Sequence, residues 1–461
     1  MPILFKQCYL NYSPQAMPPE VIRAHVRRVT YYGMGRVRIT TPYATSLRTY
    51  LNVLPNVVHI RLLGIYGGPS ADLMNLCLEK ASSLDIEFSS HWTPMPSDLP
   101  SGEHYTSRNS LTHFQYDTNT FRELLSVRIP WGFRAEYAME TRSLARLVFD
   151  MHITAESLSL PMETAPLSLM QDLEWSRIRC FSLYGRYELL SPPGVSSLPA
   201  VLSRMSSLRI LHVQARQHPT LTRAPILGRS PHVLTEMMEL RSLTLAYPDP
   251  EDAIFRVNAP FLTCLSLRDE PRRYLEPQDP DYAAVYCPLL KASECLYILR
   301  KFATPALESL ELVYEADDGE TDLLRHLSSH YSRLARLELH RYQARNDKND
   351  VPYTSITTVL TSITPLKSLH LNLGTREMPP VRCNDFELCK AWAYARDARA
   401  QEILTIMRRC PNLEYVAMLD PRYQCCTWVE YRPTWYPGSY PPPFRVEEGR
   451  YTNSGVETGS Q

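Results

Sequence analysis

His326-Leu327-Ser328-Ser329-His330 sets two histidines four residues apart, the spacing that places both on one face of a helix. Such a pair can grip zinc, but the metalloprotease pattern needs a glutamate directly after the first histidine, and Leu327 stands there. Solvent-facing histidines on a helix are the better reading. Cys383 and Cys389 are too far apart for the knuckle of a structural zinc site, and Cys425-Cys426 are adjacent. Glu315-Ala316-Asp317-Asp318-Gly319-Glu320 is acidic but lacks the alternating ligands and closing glutamate of a calcium loop. The chain holds no G-x-x-x-x-G-K-[ST], no G-x-G-x-x-G and no G-x-S-x-G, and Gly67-Gly68 reads as a turn. Arg27-Arg28 and Arg272-Arg273 are isolated basic pairs, not a stripe that would track nucleic acid. These motifs point to no enzyme, no cofactor and no metal. A catalytic triad assembled from distant residues leaves no linear mark.

A fixed apolar spacing explains far more of the chain. Leu240, Leu243 and Leu245 spell L-x-x-L-x-L, and Leu208-Leu211-Val213, Leu262-Leu265-Leu267, Leu307-Leu310-Leu312, Leu334-Leu337-Leu339 and Leu366-Leu369-Leu371 repeat it. Weaker copies are Val26-Val29-Tyr31, Val57-Ile60-Leu62, Ala81-Leu84-Ile86, Leu111-Phe114-Tyr116, Leu144-Leu147-Phe149, Ile178-Phe181-Leu183 and Leu413-Val416-Met418. About thirteen units result, with a mean period of about 32 residues, and the recurring apolar spacing is the signature of leucine-rich repeats. The final L-x-L puts two apolar side chains on one face of a strand. Stacked in parallel, such strands bury their leucines in a continuous column.

Helices are expected between the strands at Ser70–Ala81, Leu198–Met205, Pro231–Met238, Ala292–Phe302, Thr321–Leu334, Thr354–Ile363 and roughly Asn384–Arg409. The fold class is therefore α/β: a leucine-rich-repeat solenoid, or horseshoe, with a parallel concave sheet and helices on the convex side. Residues 1–25 read as an N-terminal cap or remnant, 26–420 as the solenoid and 421–461 as a partly disordered tail rich in proline and aromatics. Asp269–Ala292 and Leu373–Arg409 read as insertions.

In this pattern the residues before and between the last two leucines point away from the core. They include Arg28, His59, Arg61, His113, Arg146, His212, Gln214, Arg268, Glu311, Arg336, Glu338, His340 and His370, with Tyr184 at a strand end. An extended concave face is what solenoids use for recognition, so these are the candidate partner-binding residues.

Composition narrows the partner. Lys plus Arg and Asp plus Glu are both 49, so the chain is formally neutral among its 461 residues. That balance gives no field to draw it to nucleic acid or to an acidic membrane. No stretch of 18 apolar residues offers a membrane span, and the first ten residues lack a signal-peptide core. Eleven scattered cysteines form no paired framework, which fits a cytoplasmic or nuclear setting.

The clean repeats, such as Pro305-Ala306-Leu307-Glu308-Ser309-Leu310-Glu311-Leu312, lack the asparagine of the usual leucine-rich consensus. This degenerate ladder, over roughly residues 20 to 420, resembles the leucine-rich-repeat region of fungal F-box proteins. The resemblance implies a protein partner held on the concave face, as in the substrate-binding half of a ubiquitin-ligase receptor. Met17-Pro18-Pro19-Glu20-Val21-Ile22 is similar to the L-P-x-E-I opening of an F-box. Arg27-Arg28-Val29-Thr30-Tyr31 already reads as a strand, however, and no tryptophan precedes Trp92, so the F-box is absent or degenerate. A ligase adaptor is then a partner only of a longer form carrying one. A small-GTPase regulator is the alternative class, and an enzyme with a site hidden in an insertion a more distant one.

Overall fold

In the computed structural model, placement is described for residues 6–11, 17–33, 43–65, 69–87, 111–117, 134–187, 198–217, 223, 225–229, 237–270, 272–273, 289–344, 350–373, 385–422 and 425–433. Among the described residues the chain is α/β with sixteen strands, nearly all paired in parallel, and it divides into two compact units. The first comprises Met1–Arg216 with Ile226–Leu240, and the second Gln217–Pro225 with Arg241–Gln461.

The first unit carries β1 Gln7–Asn11, β2 Arg28–Tyr32, β3 His59–Leu63, β4 Ser83–Glu87, β5 His113–Asp117, β6 Ser157–Pro161, β7 Cys180–Arg186 and β8 Ile210–Arg216. Each pairs in parallel with the next in chain order. Helices α1 Glu20–Arg23, α2 Tyr43–Val53, α3 Ala71–Lys80, α4 Arg134–Met151, α5 Leu167–Met170 and α6 Leu198–Ser203 lie between them in sequence. The register aligns one apolar residue per strand: Val29, Ile60, Leu84, Phe114, Leu158, Phe181 and Leu211 are successive partners. Each is at most 1% exposed. Parallel strands of one phase make this column, because a slip of one residue would turn every side chain to the other face.

The second unit carries β9 Ser242–Ala246, β10 Cys264–Arg268, β11 Leu290–Lys291, β12 Ser309–Glu315, β13 Arg336–Tyr342, β14 Ser368–Asn372, β15 Tyr415–Arg422 and β16 Cys425–Tyr431. Its helices are α7 Ala292–Lys301, α8 Glu320–His330, α9 Tyr353–Leu360 and α10 Phe386–Met407, with a 3₁₀ turn at Ala253–Arg256. Two columns run through it: Leu243, Leu265, Leu310, Leu337, Leu369 and Val416, and beside them Leu245, Leu267, Leu312, Leu339, Leu371 and Met418. None is more than 3% exposed. At about 1.5–3 kcal/mol for each large apolar side chain fully buried, these columns are the main source of stability.

Caps start the helices where the sequence marks them. The Ser70 hydroxyl accepts from the Leu73 amide at 3.3 Å, the Asp385 carboxylate from the Leu388 amide at 3.0 Å, and Glu294 reaches back to the Lys291 amide at 2.9 Å. Of the expected Pro231–Met238 helix, residues 231–236 lie outside the described residues, and Met237 and Met238 are not helical. Most of the insertion at 269–292, the linker at 374–384 and the tail from 434 onward also lie outside them.

One repeat is corrected. Leu144 and Leu147 belong to α4, and Phe149 on the same helix is exposed. Leu144, Leu147, Val148 and Met151 are buried at helical spacing, whereas the strand of this unit is Ser157–Pro161 with Ala155, Leu158 and Leu160 inward. The first three residues of L-x-x-L fit a helical turn as well as a strand entry, and only the next alternation separates them.

Further strands lie at the two ends. β1 precedes Val26 and pairs with β2, and Met17–Ile22 lies between them in a loop and the four-residue α1. At the other end β16 folds back antiparallel on β15, from Val416–Tyr431 to Arg422–Cys425. No helix among the described residues is long and apolar enough to cross a membrane.

Candidate functional site

Strand alternation turns the residues between the buried columns to the opposite face, and the register arranges them in rows. In the first unit one row reads Arg28, His59, Ser83, His113, Ser157, Cys180 and Ile210, and the next Thr30, Arg61, Asp85, Gln115, Ser159, Ser182 and His212. Tyr184 and Gln214 are partners in a third. In the second unit the rows are Ser242, Cys264, Ser309, Arg336, Ser368 and Tyr415, then Thr244, Ser266, Glu311, Glu338, His370 and Ala417. Arg268 ends β10, and His340 pairs with Asn372.

Three expected residues do not present themselves on this face. Arg146 sits on α4, because the segment that carries it is a helix. Tyr184 is only 6% exposed and His340 fully buried, so neither offers its ring to a partner. His326 and His330 stack with ring centroids 4.0 Å apart on α8, and His326 is buried rather than solvent-facing. Burial and the neighbouring His330 hold the His326 ring's pKa below its ordinary value.

The polar rows of the second unit carry the densest cluster. Glu311 and Glu338 are cross-strand neighbours, a pairing of like charges that needs compensation. The Arg272 guanidinium pairs with Glu311 Oε1, and the Ser266 hydroxyl donates to Oε2 at 2.6 Å. Burial alone would raise the Glu311 pKa, but Arg272, Arg268, His340 and Ser266 together hold it at about 2. Glu338 Oε1 lies 2.6 Å from His340 Nε2, whose Nδ1 faces the Asn372 amide at 3.3 Å. Burial likewise lowers the His370 pKa, against the opposing pull of Glu338 and Glu430. Its ring meets Trp428 edge-on at 5.0 Å and Tyr415 at 5.5 Å.

Beside this cluster lies a cavity of about 170 Å³. Small side chains open it, namely Ser242, Thr244, Cys264, Ser266 and Ser309, while Arg336, Glu338 and His370 wall it. Glu311, Glu338 and His340 bring three potential metal ligands within 4.8 Å of one another. Arg272 already supplies positive charge at Glu311, and the His340 nitrogen nearest the carboxylates is hydrogen-bonded to Glu338. The cluster is thus satisfied as an ion-pair network.

In the first unit the carboxylates are engaged in the same way: Asp85 with His59 at 3.2 Å, and Glu87 with Arg61. Arg28 and Arg336 carry no ion pair among the described residues. Sequence reasoning passed over Ser83, Asp85, Ser266 and Arg272. The spacing rule applied to Ala81-Leu84-Ile86 and to Leu262-Leu265-Leu267 yields the first three, but nothing local joins Arg272 to Glu311.

No protein-family model matches the chain, and no curated protein sequence matches it.

Proposed function

We propose that the chain is a leucine-rich-repeat solenoid that binds a protein partner on the concave face of its sheet, in the manner of the substrate-binding half of an F-box ubiquitin-ligase receptor. One observation carries the reading. Every strand of these rows keeps an apolar residue inward, while the outward row mixes chemistries: Arg61, Asp85 and Gln115 in one unit, and Ser266, Glu311, Glu338 and His370 in the other. A face that served folding alone would need no such variety, whereas a recognition surface consists of it. Arg28 and Arg336, without ion pairs among the described residues, are charges placed to meet a partner's carboxylates.

Affinity capture of the full chain followed by mass spectrometry tests this reading. Arg28→Glu, Arg336→Glu and Glu338→Lys should each remove partners retained by the wild type, and Arg146→Glu, on α4, should not. An identical set of partners in all four variants sinks the assignment of the face. The ligase part stands separately: it requires adaptor and cullin subunits among the captured proteins, and their absence removes it.

A further inference from the structure

His59, Ser83 and Asp85 come from adjacent strands, and the His59 ring links the other two, by a hydrogen bond to Ser83 and an ion-pair contact with Asp85. His59 and Ser83 are direct register partners, and Asp85 follows Ser83 by two residues on the same face of β4. Ser83 Oγ lies 2.8 Å from His59 Nδ1, and His59 Nε2 lies 3.2 Å from Asp85 Oδ2. The negative carboxylate beside Nε2 favours the tautomer with its proton on that nitrogen. In the neutral ring Nδ1 is then a bare lone pair, and the Ser83 hydroxyl donates to it. Nucleophile, base and orienting carboxylate thus occupy the relationship that activates a serine, with the ring nitrogens used in the order opposite to that of the familiar proteases. The His59 and Asp85 side chains are about a quarter exposed, at 23% and 26%, so a substrate can reach the set from solvent.

The neighbours extend the chemistry. His113 flanks Ser83 on β5. The Thr112 hydroxyl donates its one proton to the Ser82 carbonyl at 3.0 Å, so at 2.8 Å it accepts from His113 Nδ1–H, and His113 Nε2 is left bare. Arg28 flanks His59 on the other side. The strand amides are spent in the parallel ladder, so a cation rather than a backbone pocket must steady an oxyanion here.

We propose that Ser83 is a nucleophile, activated by His59 and Asp85, that cleaves small, unhindered carboxylic esters. Ser83 Oγ bonds to the acyl carbon as its proton passes to His59 Nδ1. The bond from acyl carbon to alkoxy oxygen breaks, and His59 returns the proton to the departing alcohol. Water then attacks the acyl carbon and gives a proton to His59. The bond from Oγ to carbon breaks, and Ser83 recovers its proton. Ester and water become acid and alcohol, with no oxidant and no other reactant. Arg28, opposite His59 on β2, is the cation that can steady the developing negative oxygen. The open face, without a closed substrate pocket, fits short acyl groups on good leaving groups.

The full chain is treated with a fluorophosphonate probe and, separately, with p-nitrophenyl acetate. Peptide mass spectrometry should locate the phosphonyl adduct on Ser83, and Ser83→Ala should abolish it. Asp85→Asn should slow labelling at least tenfold, because the amide no longer fixes the tautomer of His59, while the melting temperature stays close to that of the wild type. An initial burst of p-nitrophenolate near one equivalent is expected from the wild type alone. An adduct on another serine, or wild-type labelling no faster than that of Ser83→Ala, overturns the proposal. Because the adduct is mapped in the unaltered protein, a folding defect in a variant cannot decide the outcome.

Discussion

Arg396 of α10 and Asp420 of β15 form a buried ion pair, with Nη1 2.8 Å from Oδ2. Arg396 Nε also donates to the Tyr431 hydroxyl on β16 at 2.8 Å, and that hydroxyl donates to Asp397. One guanidinium therefore ties the longest helix to the last parallel strand and to the antiparallel strand that covers it. Arg396→Met takes the guanidinium away from the Asp420 carboxylate, and losing one side of a buried pair costs about 3–5 kcal/mol. Urea unfolding measures it, and a loss below about 1 kcal/mol would show the tie to be dispensable.

The columns and the rows should answer differently to the same kind of substitution. Leu339→Ala removes a side chain 1% exposed and should destabilise the chain by about 2–5 kcal/mol. Arg336→Ala, three residues earlier but on the exposed face, should stay within about 0.5 kcal/mol. Equal losses in denaturant unfolding would mean that the outward row also supports the fold.

Glu311 gives acid sensitivity. Its pKa is about 2 in the folded chain against an ordinary 4.5. A carboxyl depressed by folding adds stability above its unfolded value, and that stability is lost as pH falls through the folded one. The wild type should therefore weaken more steeply between pH 4.5 and 2 than Glu311→Gln. Parallel stability curves for the two over that window would exclude the carboxylate as the source.

His370 adds a second acid sensitivity at milder pH. Burial lowers its pKa, so the unfolded chain takes up a proton first, and folding loses stability as pH drops below 6.5. Trp428→Ala should hydrate the ring and bring its NMR titration midpoint up toward 6.5. A midpoint unmoved by that substitution would mean that Trp428 does not shield it.

The ladder was legible because strand alternation and parallel stacking impose the same apolar phase on every copy, as Leu310, Leu337 and Leu369 show by meeting in register. The spacing misleads at Leu144 and Leu147, where three residues also measure one turn of a helix. β1 went unread because Gln7–Asn11 offers only Cys8 and Leu10 to the core, too short a pattern to stand out. The outward rows could be written down strand by strand. Their chemistry could not, since His59 meets Ser83, and Arg272 meets Glu311, only once the strands are laid side by side.

β16 runs against the direction of β15, which pairs in parallel with β14. That reversal has a consequence for inheritance. A tandem duplication at this end would have to reinvent the join, because a new parallel strand would meet an antiparallel edge. Upstream, a strand's outward residues can change while the parallel register with its neighbours is kept. The parallel sheet can thus be revised one outward row position at a time, and the antiparallel pair of β15 and β16 is where that pattern breaks.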